Sequence, residues 1–120
     1  MTNPMRKLLD HTIPAWAESD AAYFITVCCR DHGKNTLAVA HAAKIIFAAV
    51  QAYEQRKLWY ARFMLLMPDH FHGIFDFPLE ASMRDLFANW KRFLAREHGI
   101  HFQRDFFDHR YAQTKVFAKR

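Results

Sequence analysis

The sequence has little cysteine, and this limits how the fold can be stabilised. Cys28 and Cys29 are the only two cysteines among 120 residues, and they are adjacent. On a strand, neighbouring side chains point to opposite faces, which disfavours a disulfide between them. Free thiols in a small core are typical of a reducing, cytoplasmic setting.

Long apolar runs, internal repeats and low-complexity segments are also missing. A membrane-spanning helix needs about 20 consecutive apolar residues, and a secretory signal needs an apolar core near the amino terminus. Neither pattern is found, so we expect no membrane partner. No linker divides the chain, so residues 1–120 are predicted to form one domain.

Apolar and aromatic residues are plentiful instead. They make up 52% and 16% of the chain, and twelve residues are Phe, which predicts a globular protein with a thick aromatic core. The formal net charge is +5, which favours a polyanionic partner such as nucleic acid.

Hydrophobic periodicity predicts six elements. Period-two or β-rich runs indicate strands, and apolar residues recurring every three or four positions indicate helices. Asn35 and Ser82 are the expected helix N-caps, and Gly99 is the expected end of the second helix. The predicted strands are residues 22–29, 59–67, 70–77 and 100–107, and the predicted helices are residues 36–56 and 82–97.

The order strand, helix, strand, strand, helix, strand predicts an α+β fold. It corresponds to the ferredoxin-like split βαβ arrangement, with a four-stranded antiparallel sheet and two helices on one face.

Two histidines interrupt the most apolar segment, "FMLLMPDHFHGIFDF". His70 and His72 are two apart on a strand, so their rings share a face, while Phe71 and Phe75 point to the other. Two imidazoles at this spacing can ligate one divalent cation. A pair of hydrogen-bonded structural histidines would give the same spacing, so the motif alone leaves both interpretations open.

The surrounding residues resemble a known family. "MPDHFHGI" is similar to the His-hydrophobic-His motif of the HUH endonucleases, in the form found in single-tyrosine transposases. "HTIPAW", "YFITVCCRDHG" and "WKRFLAREHGIHFQRDFFDHR" resemble, in the same order, segments of the REP-associated tyrosine transposases. The resemblance covers residues 6–110.

This resemblance implies a function in DNA transposition. Family members cut single-stranded DNA beside a hairpin, using a tyrosine nucleophile and a divalent ion, Mg²⁺ or Mn²⁺. Carried over, His70 and His72 are the expected metal ligands, and single-stranded or hairpin DNA is the expected partner. The implied location is the bacterial cytoplasm, associated with the nucleoid.

The sequence departs from the family after Arg110. Relatives continue with an acidic loop and a helix that carries the nucleophilic tyrosine, whereas residues 111–120 read "YAQTKVFAKR". We therefore predict a truncation or frameshift after Arg110 and impaired catalysis. Tyr111 is a weak surrogate nucleophile. A homodimer, or pairing with an intact relative, could supply the missing helix.

Basic residues are the candidates for DNA contacts. Cationic side chains near the DNA path would contact phosphates, although an ordinary solvated surface gives the same composition. The candidates are Arg30, Lys34, Lys91, Arg92, Arg104 and Arg110.

Three interpretations follow from these features. The chain is an active transposase, a remnant that binds metal and hairpin DNA without cutting it, or an unrelated ferredoxin-like nucleic-acid-binding module with structural histidines and no catalysis. A covalent protein–DNA adduct would identify the first.

Overall fold

A computed structural model of the chain describes residues 5–8, 22–31 and 33–110. The elements are β1 (Met5–Leu8), β2 (Ala22–Cys28), α1 (Ala40–Gln55), β3 (Tyr60–Leu66), β4 (His70–Asp76), α2 (Met83–His98) and β5 (Phe107–Arg110). The α+β class, the antiparallel sheet and the two helices are confirmed. None of the helices in these ranges is long and apolar enough to cross a membrane.

The described residues form a sheet of five strands in the order β1-β3-β4-β2-β5, and each neighbouring pair is antiparallel. The predicted count of four was therefore wrong. The predicted strand at residues 100–107 is reduced to a single bridge between Phe102 and Cys29, and the edge strand β5 begins only at Phe107. Strand β1, which pairs with β3, was not predicted.

Helix α1 begins four residues later than its apolar pattern predicted. The amides of Thr36 and Leu37 donate to the carbonyl of Pro68, at 2.8 and 2.9 Å, so they are engaged by another part of the chain. Asn35 accepts a hydrogen bond from the Ala38 amide and forms a local turn, while Val39 stands at the N-cap with no side-chain cap. The predicted N-cap at Asn35 was therefore wrong.

Helix α2 follows its sequence signals closely. Ser82 is the N-cap, and its hydroxyl accepts a hydrogen bond from the Asp85 amide at 3.2 Å. Gly99 adopts the left-handed conformation at the C-cap, with φ of 67°. Glycine reaches this conformation without the steric cost that a Cβ would impose.

The core lies between the helices and one face of the sheet. Trp59 is fully buried at its centre, with its ring 4.8 Å from Phe87 and 5.0 Å from Phe75, and its indole N–H donates to the Val50 carbonyl. A Cβ at Gly73 would overlap the ring of Phe75, so this strand position makes room for the aromatic cluster.

The alternation along β4 separates two surfaces. Phe71 and Phe75 are buried towards the helices, and the histidines and Ile74, which are only partly buried, point to the opposite face. Towards the end of the strand on that second face, Asp76 is fully buried and accepts two hydrogen bonds from the guanidinium of Arg62. Burial raises the pKa of the Asp76 carboxyl, and the Arg62 charge opposes this shift.

Candidate functional site

The turn between β3 and β4 is held from both sides. The Met67 amide donates to the His70 carbonyl at 2.8 Å, which closes the hairpin. The Cys29 amide donates to the Asp69 carbonyl at 2.8 Å, next to the bonds that the Pro68 carbonyl accepts. Because the end of β2 and the loop before α1 both bind this turn, the start of β4 has a defined position.

His70 is oriented by the turn residue before it. Its Nδ1 lies 3.0 Å from one carboxylate oxygen of Asp69, and the other oxygen accepts the Gly33 amide at 3.0 Å. The carboxylate is thus fixed by backbone and in turn fixes the ring. A carboxylate at Nδ1 favours the tautomer in which Nε2 carries a free lone pair, the form needed by a metal ligand.

His72 is oriented by the neighbouring strand. It pairs with Thr26 across β2 and β4, and its Nδ1 lies 2.9 Å from the Thr26 hydroxyl. Its ring also contacts Phe24, with centroids 5.5 Å apart. Burial, and secondarily the adjacent His70, lower the pKa of His72. Both effects favour the neutral ring, which is the form that binds a metal.

The imidazole rings of His70 and His72 lie next to each other on the sheet surface. Their centroids are 4.8 Å apart and their planes are inclined at 78°. Each has a hydrogen-bond partner at Nδ1, which leaves Nε2 of both as the remaining ring nitrogens. Within residues 22–31 and 33–110, no group of three or more His, Cys, Asp or Glu side chains is placed to hold a metal. Two imidazoles alone would bind Mn²⁺ or Mg²⁺ weakly, because both are hard cations that prefer oxygen ligands.

The basic candidates fall into separate regions. Arg30 and Lys34 are exposed in the loop after β2, the same loop whose Gly33 amide binds Asp69. Arg104 is exposed in the segment before β5. Arg92 is exposed on α2, where it donates to the Asn89 side chain. Arg110 pairs with Tyr23 through its backbone, and its side chain lies outside the described residues.

Lys91 has a structural environment. It is only 9% exposed, and its ammonium donates to the carbonyls of Gln103 and Arg104 at 2.8 and 2.7 Å. The ammonium also lies 5.5 Å from the centre of the Phe106 ring. Burial lowers the pKa of Lys91. These contacts hold the segment before β5, and binding a phosphate would require the ammonium to leave them. The predicted DNA contact of Lys91 stays a prediction.

The described tyrosines do not offer a nucleophile beside the histidines. Tyr23 packs against the core, Tyr53 lies on α1, and Tyr60 is 4% exposed. Tyr111, the predicted surrogate, falls outside the described residues. Its role stays a prediction.

The two residues that orient the histidines, Asp69 and Thr26, were not predicted as site residues. Asp69 carried a signal, because it directly precedes His70 in a turn. Thr26 carried none, because its contact depends on the register of β2 against β4.

Several solved structures match this fold, and one of them covers most of the chain. It is a REP-associated tyrosine transposase bound to a REP hairpin, with a TM-score of 0.68 and 17% sequence identity. The match covers 91% of this chain and 67% of that one. At this identity the match shows a shared fold. No protein-family model and no curated protein sequence matches the chain.

Proposed function

We propose that this chain is a DNA-binding domain of the REP-associated tyrosine transposase type, which binds single-stranded or hairpin DNA at the histidine face of its sheet. The observation that carries the proposal is the His70–His72 pair, oriented at both Nδ1 atoms, in a fold shared with a transposase bound to a hairpin.

The arrangement of the strands supports the same proposal. From β2 to β5 the chain runs strand, helix, strand, strand, helix, strand, and β5-β2-β4-β3 are neighbours in that order. We interpret this as a ferredoxin-like split βαβ core with β1 added at one edge.

We further propose that Nε2 of both histidines binds one divalent ion, Mn²⁺ or Mg²⁺. Such an ion would supply positive charge to a phosphate oxygen. Asp69 would keep the proton on Nδ1 of His70, and the Thr26 hydroxyl would accept a hydrogen bond from the Nδ1–H of His72. The remaining ligands would be water or phosphate oxygens, because the described residues supply no third side chain.

Among the basic residues, Arg30 and Lys34 are the best placed for phosphates near the histidines. Their loop contacts Asp69 through the Gly33 amide, and both side chains are exposed. Arg104 and Arg110 remain proposed contacts further along the sheet edge. Arg92 lies on the helical layer and is proposed only for DNA that extends around that side. We leave Lys91 out of the contact set.

Strand cleavage stays outside this proposal. The family reaction needs a tyrosine that attacks a phosphate, and only Tyr111 remains as a candidate in this sequence. Completion by a second copy or by an intact relative is a prediction that a covalent adduct would test.

The second candidate function is a nucleic-acid-binding module with structural histidines. The observation in its favour is that both Nδ1 atoms already have hydrogen-bond partners. These bonds would hold the rings in place without any metal.

A gel-shift assay separates these functions. The purified chain is mixed with a labelled hairpin carrying a single-stranded extension, with Mn²⁺ or with EDTA. We expect a shift that Mn²⁺ strengthens in the wild type and in the control variant His41→Ala/His98→Ala. The strengthening should be lost in His70→Ala/His72→Ala. A shift that does not depend on Mn²⁺ or on these histidines would favour the structural-histidine module.

A wild-type chain that binds no hairpin would contradict the proposal. Half of each sample is run under denaturing conditions. An adduct that survives there, and that disappears in Tyr111→Phe, would show that Tyr111 acts as a nucleophile.

A further inference from the structure

A groove runs between the two helices. Its volume is about 840 Å³, and its lining residues lie on or next to α1 and α2. None of these lining residues belongs to the histidine face of the sheet. The groove is therefore separate from the histidine face of the sheet, and Arg92 is the one proposed DNA contact among its described lining residues.

The floor of the groove consists of apolar side chains, several of which are small. Ala48, Ala49 and Ala52 form a row on α1, and Ile45 lies beside them. Phe93 of α2 also lines the groove and is 38% exposed. A row of alanines lets another helix approach closely, because the distance between packed helices depends on the side chains at the contact.

The rims of the groove are cationic on both sides. Lys44 and Arg56 lie on the α1 side, and Arg92 and Arg96 lie on the α2 side. No acidic side chain is among the described lining residues. Partial compensation comes from outside the lining, where Glu97 pairs with Arg96 at 3.1 Å. The described lining residues therefore carry a net positive charge, contributed by both helical sides of the groove.

We propose that this groove binds an acidic amphipathic helix of a partner protein. An apolar floor between two cationic walls is complementary to a helix whose apolar stripe is flanked by Asp and Glu. This is the helix-in-groove mode, in which anchors at three- and four-residue spacing enter a hydrophobic channel. A nucleic-acid backbone would match the walls but leave the apolar floor without a partner.

The dimensions fit such an occupant. Helix α1 has 16 residues, which corresponds to a length of about 24 Å. A partner helix of about four turns would extend along the whole groove and present three or four apolar anchors to Ile45, Phe93 and the alanine row.

The test uses a synthetic peptide of about 16 residues, with Leu along one helical face and Glu on the other. Fluorescence anisotropy measures its binding to the full chain. A second peptide has the same Leu positions with Lys in place of Glu, and a third has the Glu content with the Leu positions scrambled. We expect saturable binding of the first peptide only.

Two variants locate the binding. Arg92→Glu/Arg96→Glu should weaken the acidic peptide about tenfold, because it removes two favourable charges and adds two repulsive ones. Phe93→Ser should also weaken it. Arg84→Glu, an exposed charge reversal on α2 outside the groove, should leave the affinity unchanged. Circular dichroism confirms that each variant is folded.

Several results would overturn the proposal. Equal binding of the Lys peptide would show apolar adhesion without charge recognition. Equal affinity for wild type and Arg92→Glu/Arg96→Glu would place the peptide elsewhere. Loss of hairpin binding in the Arg92→Glu/Arg96→Glu variant, with no peptide binding to the wild type, would make the groove a nucleic-acid surface instead.

Discussion

The seven residues of strand β4 alternate between two faces that serve opposite purposes. On the helix side, Phe71 and Phe75 are fully buried among aromatic rings. On the other side, His70 and His72 are partly exposed and are held by single hydrogen bonds to Asp69 and Thr26. Because side chains alternate along a strand, adjacent positions can contribute almost separately to stability and to a binding site.

A site can therefore be oriented within a stable fold by a few local hydrogen bonds. Packing of the aromatic face against the helices determines the position of β4. On the polar face, local hydrogen bonds are then enough to orient the histidine rings. Substitutions on one face should therefore leave the other largely intact.

The largest expected difference in stability loss is between substitutions at the neighbouring positions 70 and 71. Phe71→Ala should lower the free energy of unfolding by about 3–5 kcal/mol, because it removes a ring packed against Trp90 and Phe102. His70→Ala should cost less than about 1 kcal/mol, because its pair with Asp69 is partly solvated. Urea denaturation measures both. Equal losses would mean that the two faces are not separable.

A second large loss of stability is expected from a substitution on the polar face of β4. Asp76→Asn should cost about 3 kcal/mol or more, because it leaves the Arg62 guanidinium almost buried without its charge partner. In the double variant Arg62→Met/Asp76→Asn, much of this loss should be regained, and thermal unfolding would measure the coupling. If the two substitutions simply add, the pair is not a stabilising unit.

A smaller difference in stability loss is expected between substitutions of Lys91 and Arg92, which are neighbours on α2. Lys91→Met should cost about 1–3 kcal/mol, because the carbonyls of Gln103 and Arg104 lose a buried donor. Arg92→Gln, at an exposed position, should change stability by less than about 0.5 kcal/mol. Chemical denaturation at matched pH and salt would measure both. A cost for Arg92→Gln as large as that for Lys91→Met would contradict the assignment of Lys91 to the segment before β5.

The smallest effect is a pH dependence carried by His72. Its pKa is lowered in the fold, so on acidification the unfolded chain takes up a proton at this position first, from about pH 6.5 downward. Stability in EDTA should therefore be fully present above that pH and decline as the pH falls through the lower folded-state pKa. His72→Gln should flatten this decline, whereas His98→Gln, exposed on α2, should not. An unchanged slope in His72→Gln would assign the decline to other groups.

Local signals in the sequence predicted much of this fold. Strands β2, β3 and β4 and helix α2 follow directly from periodicity, turn residues and the caps at Ser82 and Gly99. The start of α1 did not follow, because the amides of Thr36 and Leu37 bind a carbonyl about thirty residues away in the chain. The four-residue edge strands β1 and β5 are too short to show a period of their own.

The site was predictable only in part, because some of its contacts also join residues that are far apart in the sequence. The spacing of His70 and His72 places both rings on one face without any knowledge of tertiary structure. The contact of His72 with Thr26 needs the strand register. The burial of Lys91 is set by backbone carbonyls, which leave no trace in the residue types of the segment before β5.

Paramagnetic broadening by Mn²⁺ in an NMR spectrum of the full chain tests the central claim most directly. We predict that substoichiometric Mn²⁺ first broadens the amide signals of His70, His72 and Thr26, and leaves those of Ala52 and Phe93 in the helical groove sharp. The His70→Ala/His72→Ala variant should lose this local effect. Broadening that persists in the variant, or that centres on another surface, would contradict a metal site at the two histidines.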